Sequence, residues 1–182
     1  MTKVVLRLCV VICLSFYSWY FLTATMLELG DKPGFMHMIN LVFHEAGHAV
    51  LFWAPQLLCS FGGTLGQLAV PLAIAIAFLV QNNDRFSAAV CMWWFGQSLV
   101  DVAPYVNDAR ASRLILLGGA TGTEIEGHDW MYIFDKLNIL SMDVKIARVV
   151  LASGRVIMVL SLLLTLVFIF WSYFQEKKQQ EV

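Results

Sequence analysis

The sequence predicts an all-α fold: one integral membrane domain, residues 1–182, built as a polytopic bundle of helices. The composition points this way, because 59% of the residues are hydrophobic and only 14% are charged, whereas soluble domains carry about 25% charged residues. The apolar residues are also grouped into runs, most of them near the ~20 residues that a spanning helix needs. A net charge of -1 offers no binding surface for nucleic acid, so we expect membrane lipid as the surrounding partner.

Five hydrophobic helices are expected, joined mostly by short polar turns. The predicted spans are 5–27, 36–58, 64–81, 86–104 and 150–174. We interpret the first as an uncleaved anchor rather than a signal peptide, and the positive-inside rule places Lys3 and Arg7 before it in the cytoplasm. Pro55 should end or kink the second helix. In an alternative four-span arrangement, residues 56–63 return the chain to the same side and both chain ends lie together.

Residues 105–148 form the one long stretch between predicted spans. Residues 105–155 carry about half of the charged residues, whereas none lies between Glu45 and Asp84. Glycines in this stretch, followed by a short amphipathic helix that begins near Asp129, predict an ordered loop rather than a flexible linker. We expect this loop to lie on the cytoplasmic side and to fold back into the bundle to complete a metal site.

The chemistry is carried by the motif His44-Glu45-Ala46-Gly47-His48. On a helix, His44 and His48 lie one turn apart on the same face and can bind one metal ion, while Glu45 can reach a metal-bound water as general base. An ionisable residue at membrane depth costs ~2.5–3.5 kcal/mol even on the most lenient scale. A bound metal ion would offset the cost of placing His44, Glu45 and His48 at this depth. This favours a Zn²⁺ site over a metal-free polar cluster.

A catalytic zinc site needs a third protein ligand. His128 is the first candidate, and Asp129 beside it could orient its ring or bind in its place; alternatively, His128 only caps a helix. Asp108 and Asp101 are the carboxylate candidates, either as ligands or as hydrogen-bond partners of a ligand histidine. They belong to a polar stripe that should face the bundle interior, together with Gln97 and Tyr105. His37 lies two turns from His44, too far to bind the same ion, and is interpreted as a marker of the membrane interface.

Gly62 and Gly63, with Gln67, form a glycine-rich segment after the motif. If this segment breaks the helix, its exposed backbone could bind an extended peptide substrate by strand addition. The alternative is that these glycines allow tight packing between helices.

The motif followed by this glycine pair resembles the site-2 protease class of intramembrane zinc metallopeptidases, most closely over residues 41–66. A longer pattern, over about residues 36–145, resembles a group of small bacterial membrane proteins. It comprises the HEAGH helix, Gly62-Gly63 with Gln67, Trp94 to Gln97, Tyr105 to Arg110, and His128 to Trp130. The resemblance implies metal chemistry in a bacterial inner (cytoplasmic) membrane. Site-2 proteases take their third ligand from an Asp followed by Gly, but Val102 follows Asp101 here.

Three functions follow as hypotheses. The first is a membrane-embedded zinc-dependent hydrolase, a metallopeptidase with Glu45 as general base, which would act on a membrane protein or peptide. The second is a zinc-stabilised membrane protein without hydrolysis, acting as an assembly factor or as a subunit of a complex. The third, transport along the polar stripe, is disfavoured because the chain is short and has no inverted repeat.

Overall fold

The computed structural model describes residues 2–117, 119–124 and 127–180, and within these ranges the protein is helical and has no strand. Within the described ranges, seven α-helices follow one another, with a 3-10 turn at Leu140–Met142 before the last. They are α1 (Thr2–Thr23), α2 (Met26–Asp31), α3 (Phe35–Val50), α4 (Gln56–Val80), α5 (Arg85–Asn107), α6 (Asp129–Lys136) and α7 (Asp143–Gln180).

Among the residues that the structure describes, three helical stretches are long and apolar enough to cross a membrane, rather than the five that the sequence predicts. They are Lys3–Thr23, Gln56–Val80 and Leu140–Gln175. Helix α3 has 16 residues, or about 24 Å, which is shorter than the ~30 Å hydrocarbon core. Helix α5 has 23 residues, but polar residues such as Gln97 and Asp101 lower its hydropathy.

Helix α5 is the most buried helix and runs antiparallel to α7. At one end, the Arg85 guanidinium lies 4.8 Å from the centre of the Trp171 ring. At the other end, Arg110 donates a 2.8 Å hydrogen bond to Asp143. Between them, a Cβ added to Gly96 would lie 2.8 Å from the Gly154 carbonyl oxygen, so the two backbones approach as only small residues allow.

Helix α1 packs antiparallel on α7, so that the start of α1 lies beside the end of α7. Arg7 near the start of α1 donates a 2.8 Å hydrogen bond to Ser172 near the end of α7, while Arg155 donates to the Phe21 carbonyl at 2.9 Å. The preferred five-span arrangement, with the chain ends on opposite sides, is therefore wrong. The Arg7–Ser172 contact agrees with the four-span alternative.

Helices α3 and α4 form a tight hairpin whose turn lies at residues 51–55, not at the glycines after it. Pro55 caps the start of α4, because proline cannot continue α3 but fits just before a new helix. Helix α4 then runs through Gly62, Gly63 and Gly66 without a break. A Cβ on Gly66 would lie 2.5 Å from the Phe43 carbonyl oxygen, so these glycines allow close approach of the two helices.

Candidate metal centre

The centre is formed by two histidines of α3 and the first residue of α6. The Asp129 Oδ2 atom lies 3.2 Å from the Nε2 atom of His44 and 3.2 Å from that of His48. One ligand atom from each residue can be chosen so that all three lie within 4.8 Å of one another. Ligand atoms at 2.0–2.1 Å from a tetrahedral zinc ion lie about 3.3 Å apart. The donor set and its spacing therefore fit one divalent ion.

The tautomer of His48 is set by helix α4. Its Nδ1 atom donates a 2.8 Å hydrogen bond to the carbonyl oxygen of Cys59. In a neutral imidazole, a proton on Nδ1 leaves a lone pair on Nε2, and that lone pair points to the Asp129 carboxylate. Without a metal ion, a second proton on Nε2 makes the hydrogen bond to Asp129; a bound ion would replace that proton, and histidine ligands in metal sites are oriented by just such a bond to their second nitrogen.

Asp129 is held in place by Tyr105 of α5. The Asp129 backbone N–H donates to the Tyr105 hydroxyl at 2.9 Å, and that hydroxyl donates to Asp129 Oδ2 at 3.3 Å. Burial opposes ionisation of the Asp129 carboxyl, but hydrogen bonds from His44 and His48 outweigh it and hold its pKa below the ordinary value. The N-terminus of α6 also favours a negative charge at this position. The side chain is therefore available as an anionic ligand.

Gly63 of α4 leaves open the space in front of both histidines. A Cβ added to this glycine would collide with the Nε2 atom of His44 and would lie 2.5 Å from the Nε2 atom of His48. Any larger residue would occupy the volume that an ion needs. The space that Gly63 leaves, together with the two-nitrogen, one-oxygen donor set, could hold a divalent metal ion.

His128, the predicted third ligand, is not part of this centre. It caps α6, with its Nδ1 atom accepting the Met131 backbone N–H at 3.2 Å. Its Nε2 atom therefore carries the proton and lies 3.5 Å from Asp108 Oδ2. The ring packs against Tyr105, with 4.4 Å between ring centres. Burial lowers the pKa of His128 despite the nearby Asp108 carboxylate. The structure thus places Asp129, the alternative, where His128 was expected.

The other polar candidates also have different partners. Asp108 accepts the backbone N–H groups of Arg113 and Leu114, at 3.1 Å and 2.8 Å, and so shapes the loop after α5. Asp101 and Gln97 lie deeper in the bundle, where Gln97 accepts a 2.9 Å hydrogen bond from Asn40. None of the three predicted side chains, Asp108, Asp101 and Gln97, joins the cluster of ligand atoms.

The predicted substrate edge at Gly62, Gly63 and Gln67 is wrong. All three residues are buried within α4, where backbone groups are engaged in helical hydrogen bonds. The Gln67 side chain donates to Asp101 at 2.9 Å and so links α4 to α5. The helix-packing alternative describes these glycines better, because their backbone lies against α3 rather than facing a groove.

An open groove of about 1010 Å³ leads to the centre. The His44, His48 and Asp129 side chains line one end together with Glu45, which is exposed. His37 and residues 113–117 line another part of the same groove. A smaller cavity of about 490 Å³ lies beyond Asp129, which lines both.

Comparison of the chain with models of protein families, with curated proteins and with solved structures gave no match. The site must therefore be interpreted from its own geometry. Sequence reasoning missed three of its parts: the Cys59 carbonyl, the space left by Gly63 and the Tyr105 hydroxyl as holder of Asp129. Tyr105 carried a signal, since it belongs to the polar stripe of α5, and so did Gly63, which belongs to the glycine pair that follows the motif.

Proposed function

We propose that this protein is a membrane-embedded, zinc-dependent hydrolase and, more narrowly, a metallopeptidase. The observation that carries the proposal is the set of three converging ligand atoms, from His44, His48 and Asp129, at the wall of an open groove. Glu45 lines the same groove beside them. The HEAGH motif and its resemblance to site-2 proteases support the narrower proposal of peptide hydrolysis.

Zinc is the ion that this donor set favours. Two imidazole nitrogens and one carboxylate oxygen are a common ligand set of catalytic zinc, which keeps its fourth position for water or substrate. In the part of the chain that the structure describes, no fourth His, Cys, Asp or Glu belongs to the cluster. An open fourth position supports catalysis over the closed site expected of a purely structural zinc.

The residues of this chain divide the chemistry among them. A bound zinc ion would polarise a substrate carbonyl and activate water. Glu45 would accept the proton from the attacking water and deliver it to the leaving amine. Tyr105 would hold the Asp129 carboxylate in its ligand position, and Cys59 would hold the ring of His48. A helical substrate would have to unwind in the groove, since helical backbone is hydrogen-bonded within itself.

We further propose that four helices cross the membrane: α1, α4, α5 and α7. Helix α5 runs antiparallel to α7, so it must return the chain across any layer that α4 and α7 cross; its polar residues are tolerated because other helices surround them. Helix α3 would enter the membrane without crossing it. With Lys3 and Arg7 in the cytoplasm, the metal centre lies toward the opposite face of an inner membrane.

The experiment compares full-length wild-type protein with Glu45→Gln in detergent. Metal content is measured by elemental analysis, and hydrolysis by incorporation of ¹⁸O from labelled water into a mixture of apolar peptides. We expect about one zinc ion per chain in both proteins, and a loss of hydrolysis of about 10²- to 10⁴-fold in the variant. Glu28→Gln is the matched control, because Glu28 caps α2 and glutamine preserves that cap.

Two outcomes would contradict the proposal in different ways. Equal hydrolysis by wild type and the zinc-loaded Glu45→Gln variant would exclude Glu45 as general base. Stoichiometric zinc without hydrolysis of any peptide by the wild type would favour the non-catalytic alternative, a zinc-stabilised assembly factor or complex subunit.

A further inference from the structure

A second polar pair lies in the wall of the groove, away from the metal centre. The Nδ1 atom of His37 lies 3.0 Å from Asp101 Oδ1. Asp101 also accepts hydrogen bonds from Asn40 at 3.1 Å and from Gln67 at 2.9 Å. The pair therefore joins α3 to α4 and α5.

Asp101 needs a positive countercharge. Its side chain is only 3% exposed, and a buried carboxylate is unfavourable unless a cation and hydrogen bonds compensate it. The amides of Asn40 and Gln67 supply hydrogen bonds without charge. His37 is the ionisable side chain in contact with Asp101, so an imidazolium at His37 completes the compensation.

The His37 ring also faces the groove. Its side chain is 37% exposed and lines the groove, while its Nδ1 atom is occupied by Asp101. Nε2 is on the other edge of the ring and is the atom left for a ligand. Arg113 lines the same groove. Within the described ranges, no carboxylate forms an ion pair with the Arg113 guanidinium.

Arg113 belongs to the His37 end of the groove. Its neighbour Leu114 packs against Gly30 of α2, where a Cβ on the glycine would lie 3.1 Å from Leu114 Cδ2. Gly30 also contacts Pro104, one turn beyond Asp101 on α5. Asp31 also lines this end of the groove and reduces the positive charge there. Asp31 forms no ion pair with His37 or with Arg113.

We propose that His37 and Arg113 form an anion subsite that binds the C-terminal carboxylate of a peptide; this inference rests on the proposed peptidase function. His37 precedes His44 by seven residues, or about 10.5 Å along the helix axis. An extended peptide covers that distance in about three residues. A peptide bound in this way has its scissile bond about three residues before its carboxyl end.

The test measures binding rather than cleavage. A short apolar peptide with a free carboxylate and the same peptide with a C-terminal amide are titrated into full-length protein. Chelator is present, so that a metal ion cannot capture the carboxylate. We expect the wild type to bind the acid at least about tenfold more tightly than the amide. The ratio should fall to near one in the His37→Gln, Arg113→Gln double variant and should persist in Lys136→Gln, a cation on α6 outside the groove.

Two results would overturn the subsite: equal binding of acid and amide by the wild type, or an unchanged preference in the double variant. Thermal unfolding of each variant confirms that any loss of preference is not a loss of fold. The measurement needs no hydrolysis, so failure of the peptidase proposal leaves it interpretable. Conversely, a peptidase that cleaves acid and amide equally well would refute the subsite alone.

Discussion

Gly63 of α4 lies directly against the imidazole of His44, with room for a hydrogen but none for a methyl group. We predict that Gly63→Ala abolishes zinc binding while the protein stays folded, because alanine is the better helix former by about 0.5–1 kcal/mol. Zinc content and thermal unfolding measure the two effects. Gly30→Ala is the control, since its methyl would meet the tip of the flexible Leu114 side chain at 3.1 Å and would lie in ordinary van der Waals contact with Pro104 at 3.5 Å. If the Gly63→Ala protein still binds one zinc ion per chain, the ion does not lie between His44 and His48 and the prediction is wrong.

The zinc affinities of two variants show which of the neighbours Asp129 and His128 is the metal ligand. Asp129→Asn should weaken zinc binding by more than about 100-fold, beyond the range expected for an outer-shell change. His128→Asn should retain zinc, because asparagine can still cap α6. Competition with a chromophoric chelator gives both affinities. The opposite ranking of the two variants would restore His128 as the ligand.

Tyr105→Phe tests how Asp129 is positioned. The substitution removes the hydroxyl that accepts from the Asp129 N–H and donates to its carboxylate, but it preserves the ring. We expect zinc affinity to fall by about 10- to 100-fold, as for other residues that orient metal ligands. The same competition assay reports the change. Tyr132→Phe on the same short helix is the control and should bind zinc like the wild type.

Asp101→Ala tests the buried hydrogen bonds that join Asp101 to α3 and α4. The substitution takes the Asp101 acceptor from the buried amides of Asn40 and Gln67, which keep Gln97 and the Ser98 carbonyl as their other acceptors, and each N–H group left unsatisfied costs about 1–3 kcal/mol. We expect the free energy of unfolding in mixed micelles to fall by roughly 2–5 kcal/mol. Asp135→Asn, on an exposed position of α6, should unfold like the wild type. A loss below 1 kcal/mol would mean that water replaces the carboxylate.

The sequence predicts the parts of the site that depend on local spacing. A separation of four residues on a helix places His44 and His48 on one face, and the structure has them there on α3. The third residue comes from the far end of a loop, where one step along the chain separates His128 from Asp129. The choice between them depends on capping of α6, since the His128 ring is used to accept the Met131 N–H.

The errors in the fold have the same origin. Gly62 and Gly66 predict a break when considered alone, yet they continue a helix because Phe43 and Gly47 lie against them. The number of spans was overestimated because α3 is apolar but short, and because α5 carries polar residues that only their burial between other helices explains. Each misjudged feature depends on a partner distant in the sequence.

The two histidines and the aspartate of the metal centre are 85 and 81 residues apart along the chain. During synthesis, His44 and His48 are therefore made well before Asp129. The growing chain therefore carries two of the three ligand residues before the third is made, and all three can hold one ion only after α6 packs against α4. Late assembly of this kind would leave the candidate metal centre incomplete until the fold is complete.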